Sequence, residues 1–313
     1  MVLHYRRLRQ FPAVFQTLTG LRVAEFDALV GEVLPAYARA EVARLSRPGR
    51  QRAIGAGRPF TLEPRDQLLL TVIWLRQYPT QAVLGYLFGI SARAVLRIRE
   101  RVLPLLEHAG RASMRLPRRT PRRSRRTLDA LLRDVPALAV VVDTFEQPVQ
   151  RPRTRAAADP FYSGKQKRHT LKAQVAVDDT SGRVVDVPES VPGPTHDLTL
   201  LKQSGLLERL GPDVGALGDL AYLGVAAAHP FGLGATPFRK PRGQPRPPVE
   251  AAYNTAFARH RIIVEHIIGR LRRYQCLSQA DRHHRRLHTA RVRAVAGLVN
   301  RALQARFPDG FAR

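Results

Sequence analysis

Apolar positions in the first hundred residues recur every three or four places. Val23, Phe26, Val30, Val33 and Tyr37 keep that spacing and predict an amphipathic helix over 22–45. Residues 46–58 (SRPGRQRAIGAGR) break it, and their Gly, Pro and Arg predict a flexible basic connector. A second helical cluster runs over 64–107, led by a helix at 65–77 with Leu68, Leu69, Val72, Ile73 and Leu75. Thr80 to Arg101 then reads TQAVLGYLFGISARAVLRIRER. Thr80 and Ser91 can each cap a helix, and Gly89 sits where the first helix must turn with positive φ. Leu84, Phe88, Ile90, Val95 and Ile98 supply the apolar contact, with Gly85 small at the crossing. The pattern predicts a helix-turn-helix, although a helical pair in a bundle core shares its periodicity.

Beyond this point the period changes. Arg115 to Arg126 (RLPRRTPRRSRR) carries too much like charge to pack and predicts an exposed linker. Leu138 to Val142 is an unbroken apolar run ending at Asp143, the mark of a buried strand. Leu171–Val177 and Val184–Val187 predict strands around a turn at Asp179–Gly182, and Val214–Leu217 a further short strand. Residues 198–210, 253–274 and 287–306 predict helices, and there is no internal repeat. The expected fold class is α/β, of the mixed α+β kind. Its parts are an N-terminal helix and connector (1–56), a helix-turn-helix domain (57–110), a basic linker (111–136), a sheet-containing domain (137–280) and a C-terminal helix (281–313).

Charge sharpens this picture. Lys and Arg number 52 against 25 Asp and Glu, a net charge of +27, which predicts attraction to a polyanion. High-GC coding bias explains Arg over Lys but not the shortage of acids. On the second helix of the motif, Arg93, Arg97, Arg99 and Arg101 are suited to forked contacts with guanine edges or phosphates, so double-stranded DNA is the expected partner. The single cysteine, Cys276, excludes an internal disulfide and a Cys-rich zinc site and reads as a buried filler. Met1 to Gln10 is basic with no apolar run behind it, and no stretch suits a membrane span. A cytoplasmic, nucleoid-associated protein is the expectation.

Three acids stand out by context. Asp143 and Asp219 each follow a predicted strand, a costly place for a charge without a partner. A bound cation is one such partner. Glu265 lies in RIIVEHIIGRLRRY, sharing a helix face with Arg261 and Arg272. That face is either a salt-bridged surface or an active-site edge that grips a phosphate. Taken singly, Asp219 also reads as a turn residue and Glu265 as a surface ion pair. Carboxylate oxygens suit Mg²⁺ or Mn²⁺ rather than zinc, and two such ions can drive phosphoryl displacement. The loop PFYSGKQKRH interleaves Tyr162 and His169 with Lys165, Lys167 and Arg168, and with nearby Lys172 could grip DNA close to a cut. His284 and His288 read as surface basic residues.

The strings VVVDTFEQPVQRP, YSGKQKRHTLKAQVAV, GPTHDLTLLKQSGLL, GDLAYLG, PFRKPRG and RIIVEHIIGRLRRY occur in that order. With LTGLRVAEFDALV and the helix-turn-helix upstream, they resemble bacterial insertion-sequence transposases of the DDE type over roughly residues 15–300. The resemblance implies a ribonuclease-H-like domain, a mixed sheet flanked by helices. It implies that Asp143, Asp219 and Glu265 are catalytic and hold two Mg²⁺ or Mn²⁺ ions. The family's signature around its Glu is Tyr, two residues, Arg, three residues, Glu, six residues, Lys. Arg261 and Glu265 match, Arg272 replaces the Lys, and Ala258 stands at the Tyr position. Thr144, Phe145 and Glu146 stand where Gly-Thr-Glu is common. His196, beside Asp197, implies a supporting role; otherwise Asp197 caps the following helix and His196 is incidental. The implied function is binding of terminal inverted repeats, strand cleavage and transfer to target DNA, by a homodimer or larger assembly. A domesticated relative, acting as a DNA-binding regulator or stand-alone nuclease, is the alternative.

Overall fold

The computed structural model describes residues 3–46, 48–49, 51, 53, 56, 60–117, 138–308 and 310. Most of the predicted connector and the linker from 118 to 136 lie outside the described residues. The N-terminal part is helical: α1 (Tyr5–Leu8), α2 (Pro12–Thr19), α3 (Val23–Leu45), α4 (Pro64–Gln77), α5 (Gln81–Phe88) and α6 (Ala92–Ser113). The predicted caps are made, with Thr80 Oγ1 accepting from the Val83 N–H and Ser91 Oγ from the Ala94 N–H. Gly89 turns the chain between α5 and α6 at φ 66°. A side chain at Gly85 would meet the Ile90 carbonyl oxygen at 2.6 Å, so the two helices cross only because that position is bare.

A mixed sheet follows, with α7 (Arg155–Ala158) after its first strand. Its strands are β1 (Leu138–Pro148), β2 (Tyr162–Ser163), β3 (Arg168–Asp178), β4 (Val184–Asp186), β5 (Val191–Pro192), β6 (Val214–Leu217) and β7 (Gly234–Ala235). The order is β2-β3-β1-β6-β7, with β4 and β5 also pairing β3. β1 runs antiparallel to β3 and parallel to β6. The predicted helix over 198–210 is two pieces, α8 (Asp197–Gln203) and α9 (Leu206–Arg209), broken at Gly205 with φ 63°. α10 (Val225–Ala228), α11 (Pro248–Arg272) and α12 (His288–Arg306) complete the chain.

Alternation along the strands sorts their side chains onto two covered faces. Val141, Phe145, Val175, Val177 and Leu217 join one cluster with α11, α12 and the N-terminal helices. Val140, Val142, Ala176 and Ala216 join a second cluster with α8 and α9. Helix α6 packs along α12 at a glycine pair: a Cβ on Gly297 would collide with the Gly110 backbone, and one on Gly110 with the Arg293 carbonyl. The helix-turn-helix therefore shares a hydrophobic core with the sheet. Among the described residues no single helix is long and apolar enough to cross a membrane.

Candidate active site

The parallel register of β1 and β6 pairs Val141 with Leu217. Asp143 stands two residues further along β1, in the middle of that strand rather than at its end as the apolar run predicted, and Asp219 two residues past Leu217, just beyond the end of β6, so the topology brings the two acids to neighbouring positions. Asp143 Oδ1 accepts from the Thr144 N–H at 2.7 Å, and Asp219 Oδ1 from the Ala221 N–H at 2.9 Å. Burial pushes the Asp143 carboxyl up to about 6, and the charges of Asp219 and Asp197 push the same way, against the Thr144 N–H and the Arg261 charge. Gly218 is required here, because a Cβ on it would meet the Tyr222 ring at 2.6 Å. Tyr222 is fully buried beside the acids and its hydroxyl has no hydrogen-bond partner. Burial, then the charges of Asp197, Asp143 and Asp219, raise its pKa.

Glu265 lies on α11 with its side chain half-exposed. Arg261 donates to it at 2.7 Å across one helical turn, and the Arg261 charge also acts on Asp143. Arg261 thus acts on both Glu265 and Asp143. An exposed i,i+4 pair with the cation N-terminal to the acid is worth a few tenths of a kcal/mol, so it opens readily. Among the described residues no three His, Cys, Asp or Glu side chains stand close enough together to hold a metal ion. The donor set of the pair nonetheless fits a hard cation. It consists of carboxylate oxygens, one of them strongly desolvated, with no protein cation bonded to either acid.

Other expected site residues fall in several places. His196 is exposed at the start of α8 and makes no capping bond; Arg272 is exposed on α11. Lys165, Lys167 and Arg168 are exposed on the β2–β3 hairpin. Arg168 lies seven residues along β3 from Val175, the partner of Asp143, or roughly 23 Å at the strand rise. Arg93 and Arg97 are exposed on α6. Arg101 is partly covered, 3.6 Å from Glu41 and over the Phe60 ring at 4.6 Å.

Three expectations of exposure are corrected. Lys172 is buried: its Nζ donates to Asp197 Oδ1 at 2.6 Å and to the Thr195 carbonyl at 2.5 Å. It sits opposite Glu146 on β1, three residues from Val175, and therefore faces the side of the sheet away from Asp143. Arg99 is 5% exposed, with its guanidinium 3.6 Å from the Trp74 ring centroid. Position 99 belongs to the Val95, Ile98, Val102 stripe that α6 turns to the core. His288 is fully buried, its ring nitrogens on Ser190 Oγ at 2.7 Å and Gln147 Oε1 at 2.9 Å. Cys276 is buried as expected.

The sequence reading passed over the Lys172–Asp197 pair and Tyr222. The Asp of THDLTLL and the Tyr of GDLAYLG were the available signals for them.

Comparison with known proteins places this geometry. Residues 142–300 match the family described as DDE superfamily endonuclease, and residues 60–112 match the helix-turn-helix of DDE superfamily endonuclease. A Microchaete diplosiphon protein named as a transposase for insertion sequence element IS702 is 28% identical over 286 residues, covering 91% of this chain and 93% of the relative. A Streptomyces albus G protein named as a transposase for insertion sequence element IS112 is 27% identical over 250 residues, covering 78% and 84%. No solved structure matches. With the endonuclease match covering half of the chain and a matching helix-turn-helix ahead of it, the chain belongs to the DDE superfamily endonucleases, the transposases of insertion sequences.

Proposed function

We propose that this transposase holds the terminal inverted repeats of its element, cleaves a strand at each end and joins the freed 3′-hydroxyl to target DNA. The observation that carries the reading is the buried Asp143 on β1 with Asp219 beside it, just past the end of the parallel neighbour β6. These two acids, with Glu265 from α11, are the residues that would hold two Mg²⁺ or Mn²⁺ ions. Bound divalent ions supply activation of the attacking water or hydroxyl and neutralise the leaving oxygen.

The protein's own part is positioning and charge. The Thr144 N–H holds the Asp143 carboxylate within β1, and the Ala221 N–H holds that of Asp219 at the turn after β6. Arg261 is placed to exchange its weak bond with Glu265 for a DNA phosphate, as a fork rather than a point charge. Arg93 and Arg97 on α6, and Lys165, Lys167 and Arg168 on the hairpin, are the exposed cations proposed to hold the duplex. His196 and Arg272 remain support residues at its edge. Synapsis of two ends calls for a dimer or larger assembly on DNA, working at the nucleoid.

The test is cleavage of the native element ends with Mg²⁺. Asp143→Ala is expected to lose cleavage and strand transfer while keeping its affinity for the ends. Undiminished cleavage by that variant overturns the assignment.

A further inference from the structure

On the far side of α11 from the acid site is a cavity of about 180 Å³ lined largely by arginine. Its walls come from four stretches remote in sequence: the α2–α3 junction, the end of α4, the end of α11 and the end of α12. They contribute Arg22, Arg76, Arg270, Arg273 and Arg306, against one carboxylate, Glu25. Glu25 is already committed, accepting from the Arg22 N–H at 2.8 Å to close the start of α3. An arginine-rich composition scatters cations over a surface. It does not by itself converge five of them on one cavity.

The usual alternative is that basic residues at helix ends answer the last carbonyls. Arg76, Arg270 and Arg306 do lie in last turns, and Arg273 caps α11. Yet among the described residues no hydrogen bond or ion pair runs from the guanidinium of any of the four. Arg76 lies instead 5.0 Å from the Tyr274 ring centroid, with its face on the aromatic and its donors uncommitted. Tyr274 is 3% exposed and lines the cavity. Its hydroxyl lies at Gly20, where a Cβ would meet it at 2.7 Å, and it too makes no hydrogen bond. The site therefore offers forked N–H donors and one O–H donor with an excess of positive charge, five guanidiniums against the single carboxylate of Glu25, which lies 3.9 Å from Arg22 Nε, and the amide of Gln16. That complement is met by a tetrahedral oxyanion.

We propose that this cavity takes one backbone phosphate of duplex DNA, at a place separate from both the acid pair and the exposed face of α6. On α11, Arg270 is about 140° around the helix from Glu265, so the two cannot serve the same phosphate. The cavity thus marks a second path for DNA across the molecule, closed by four elements that only the folded chain assembles. The inference rests on the reading that this chain binds DNA.

The test uses the full chain and a double variant, Arg273→Gln with Arg306→Gln, both exposed positions without bonds to lose. Affinity for a fluorescent random-sequence duplex of roughly 30 base pairs is measured against salt, where each phosphate contact contributes about 0.9 to the log–log slope. The double variant is expected to bind with a slope shallower by about one. Arg273→Lys with Arg306→Lys should restore much of it. Arg44→Gln, which removes a guanidinium already paired with Glu41 at 2.8 Å, should leave it unchanged. Inorganic phosphate at fixed ionic strength should raise the Tm of the wild type more than that of the Gln variant. Relief of like-charge repulsion should hold or raise the variant's own Tm, which separates a binding role from a structural one.

Loss of the phosphate effect with an unchanged DNA slope would make this a free-anion site and overturn the proposal. A wild type that binds duplex normally and a variant that matches it in both assays would also overturn it. A wild type that binds no duplex would instead bring down the proposed function, and this inference with it.

Discussion

Replacing Arg99 by Met separates two accounts of helix α6. If α6 presents all its arginines to DNA, the substitution weakens binding. The structure says otherwise, because Arg99 points between α4 and the segment after α11, over Trp74 and 3.4 Å from a His283 ring nitrogen. Burial lowers its pKa to about 10, which corresponds to roughly 3 kcal/mol against the charged form. Its Nε and Nη1 have no hydrogen-bond partners, while the contact with Trp74 returns about 2 kcal/mol. Methionine keeps the unbranched stem and a sulfur–aromatic contact worth up to about 1 kcal/mol, without the desolvated charge. Arg99→Met is therefore expected to match or exceed wild-type stability by up to about 2 kcal/mol. Over 313 residues that is a Tm rise of about 3 °C at most. Affinity for duplex DNA and its salt slope should not change, whereas Arg93→Ala and Arg97→Ala should each make binding weaker and the slope shallower. Thermal unfolding and fluorescence anisotropy read both quantities on the same protein. A fall in affinity for Arg99→Met as large as that for Arg97→Ala, with the fold intact, would refute the buried placement. A Tm drop beyond a few degrees would show that the buried charge stabilises.

Two further outcomes follow from buried contacts. His288 has its pKa lowered to about 3 by burial and by the Arg291 charge. The unfolded chain takes up this proton first, so stability should fall as pH drops from about 6.5 towards 3, by roughly 5 kcal/mol at most. His288→Gln should narrow the difference between denaturant midpoints at pH 7 and pH 4.5, with His283, lowered the same way, supplying the remainder; an unchanged difference would count against the buried neutral ring. At the α6–α12 crossing, Gly297→Ala would drive a methyl into the Gly110 backbone and should destabilise by about 1–3 kcal/mol. Gly269→Ala, on α11 with nothing within 4 Å, should instead stabilise by up to about 1 kcal/mol, and the paired Tm values decide.

Periodicity and capping chemistry made the helix-turn-helix legible because both are local. Thr80, Gly89 and Ser91 act within a few residues of themselves, and each does what its position predicts. The same logic reached β6 and the first half of β1, but β1 continues through Asp143 to Pro148, where polar side chains hide the strand from an apolar-run reading. What local pattern did not yield was direction. Arg99 carries a charge that suggests an outward position, yet its place beside Val95, Ile98 and Val102 puts it on the inward stripe. Lys172 is equally illegible from its charge, because in a strand covered on both faces alternation no longer marks a solvent side. His288 is buried through Gln147 and Ser190, which are 141 and 98 residues away in sequence. The pairing of Asp143 with Asp219 likewise depends on a parallel register that neither strand contains alone.

The electrostatics around the sheet divide the acids into two kinds. Asp197 lies near enough to Asp143 and Tyr222 for its charge to raise both of their pKa values. It is nevertheless neutralised by the chain itself, through the buried ammonium of Lys172 at 2.6 Å. Asp143 and Asp219 receive only backbone N–H groups, in a protein carrying 52 Lys and Arg residues. With cations so abundant, leaving that pair without a bonded one is not a matter of supply. Removing Lys172 would strand one more charge near the pair, since breaking a buried ion pair leaves the surviving partner uncompensated. Lys172 is thus better understood as holding Asp197 out of competition, so that the remaining negative charge is concentrated on the two acids proposed to hold the ions. Glu265, proposed as the third acid, is held differently. It is engaged in an exposed, weak bond to Arg261, and under the proposed function one exchange of partners would free both a carboxylate for a cation and a guanidinium for a phosphate.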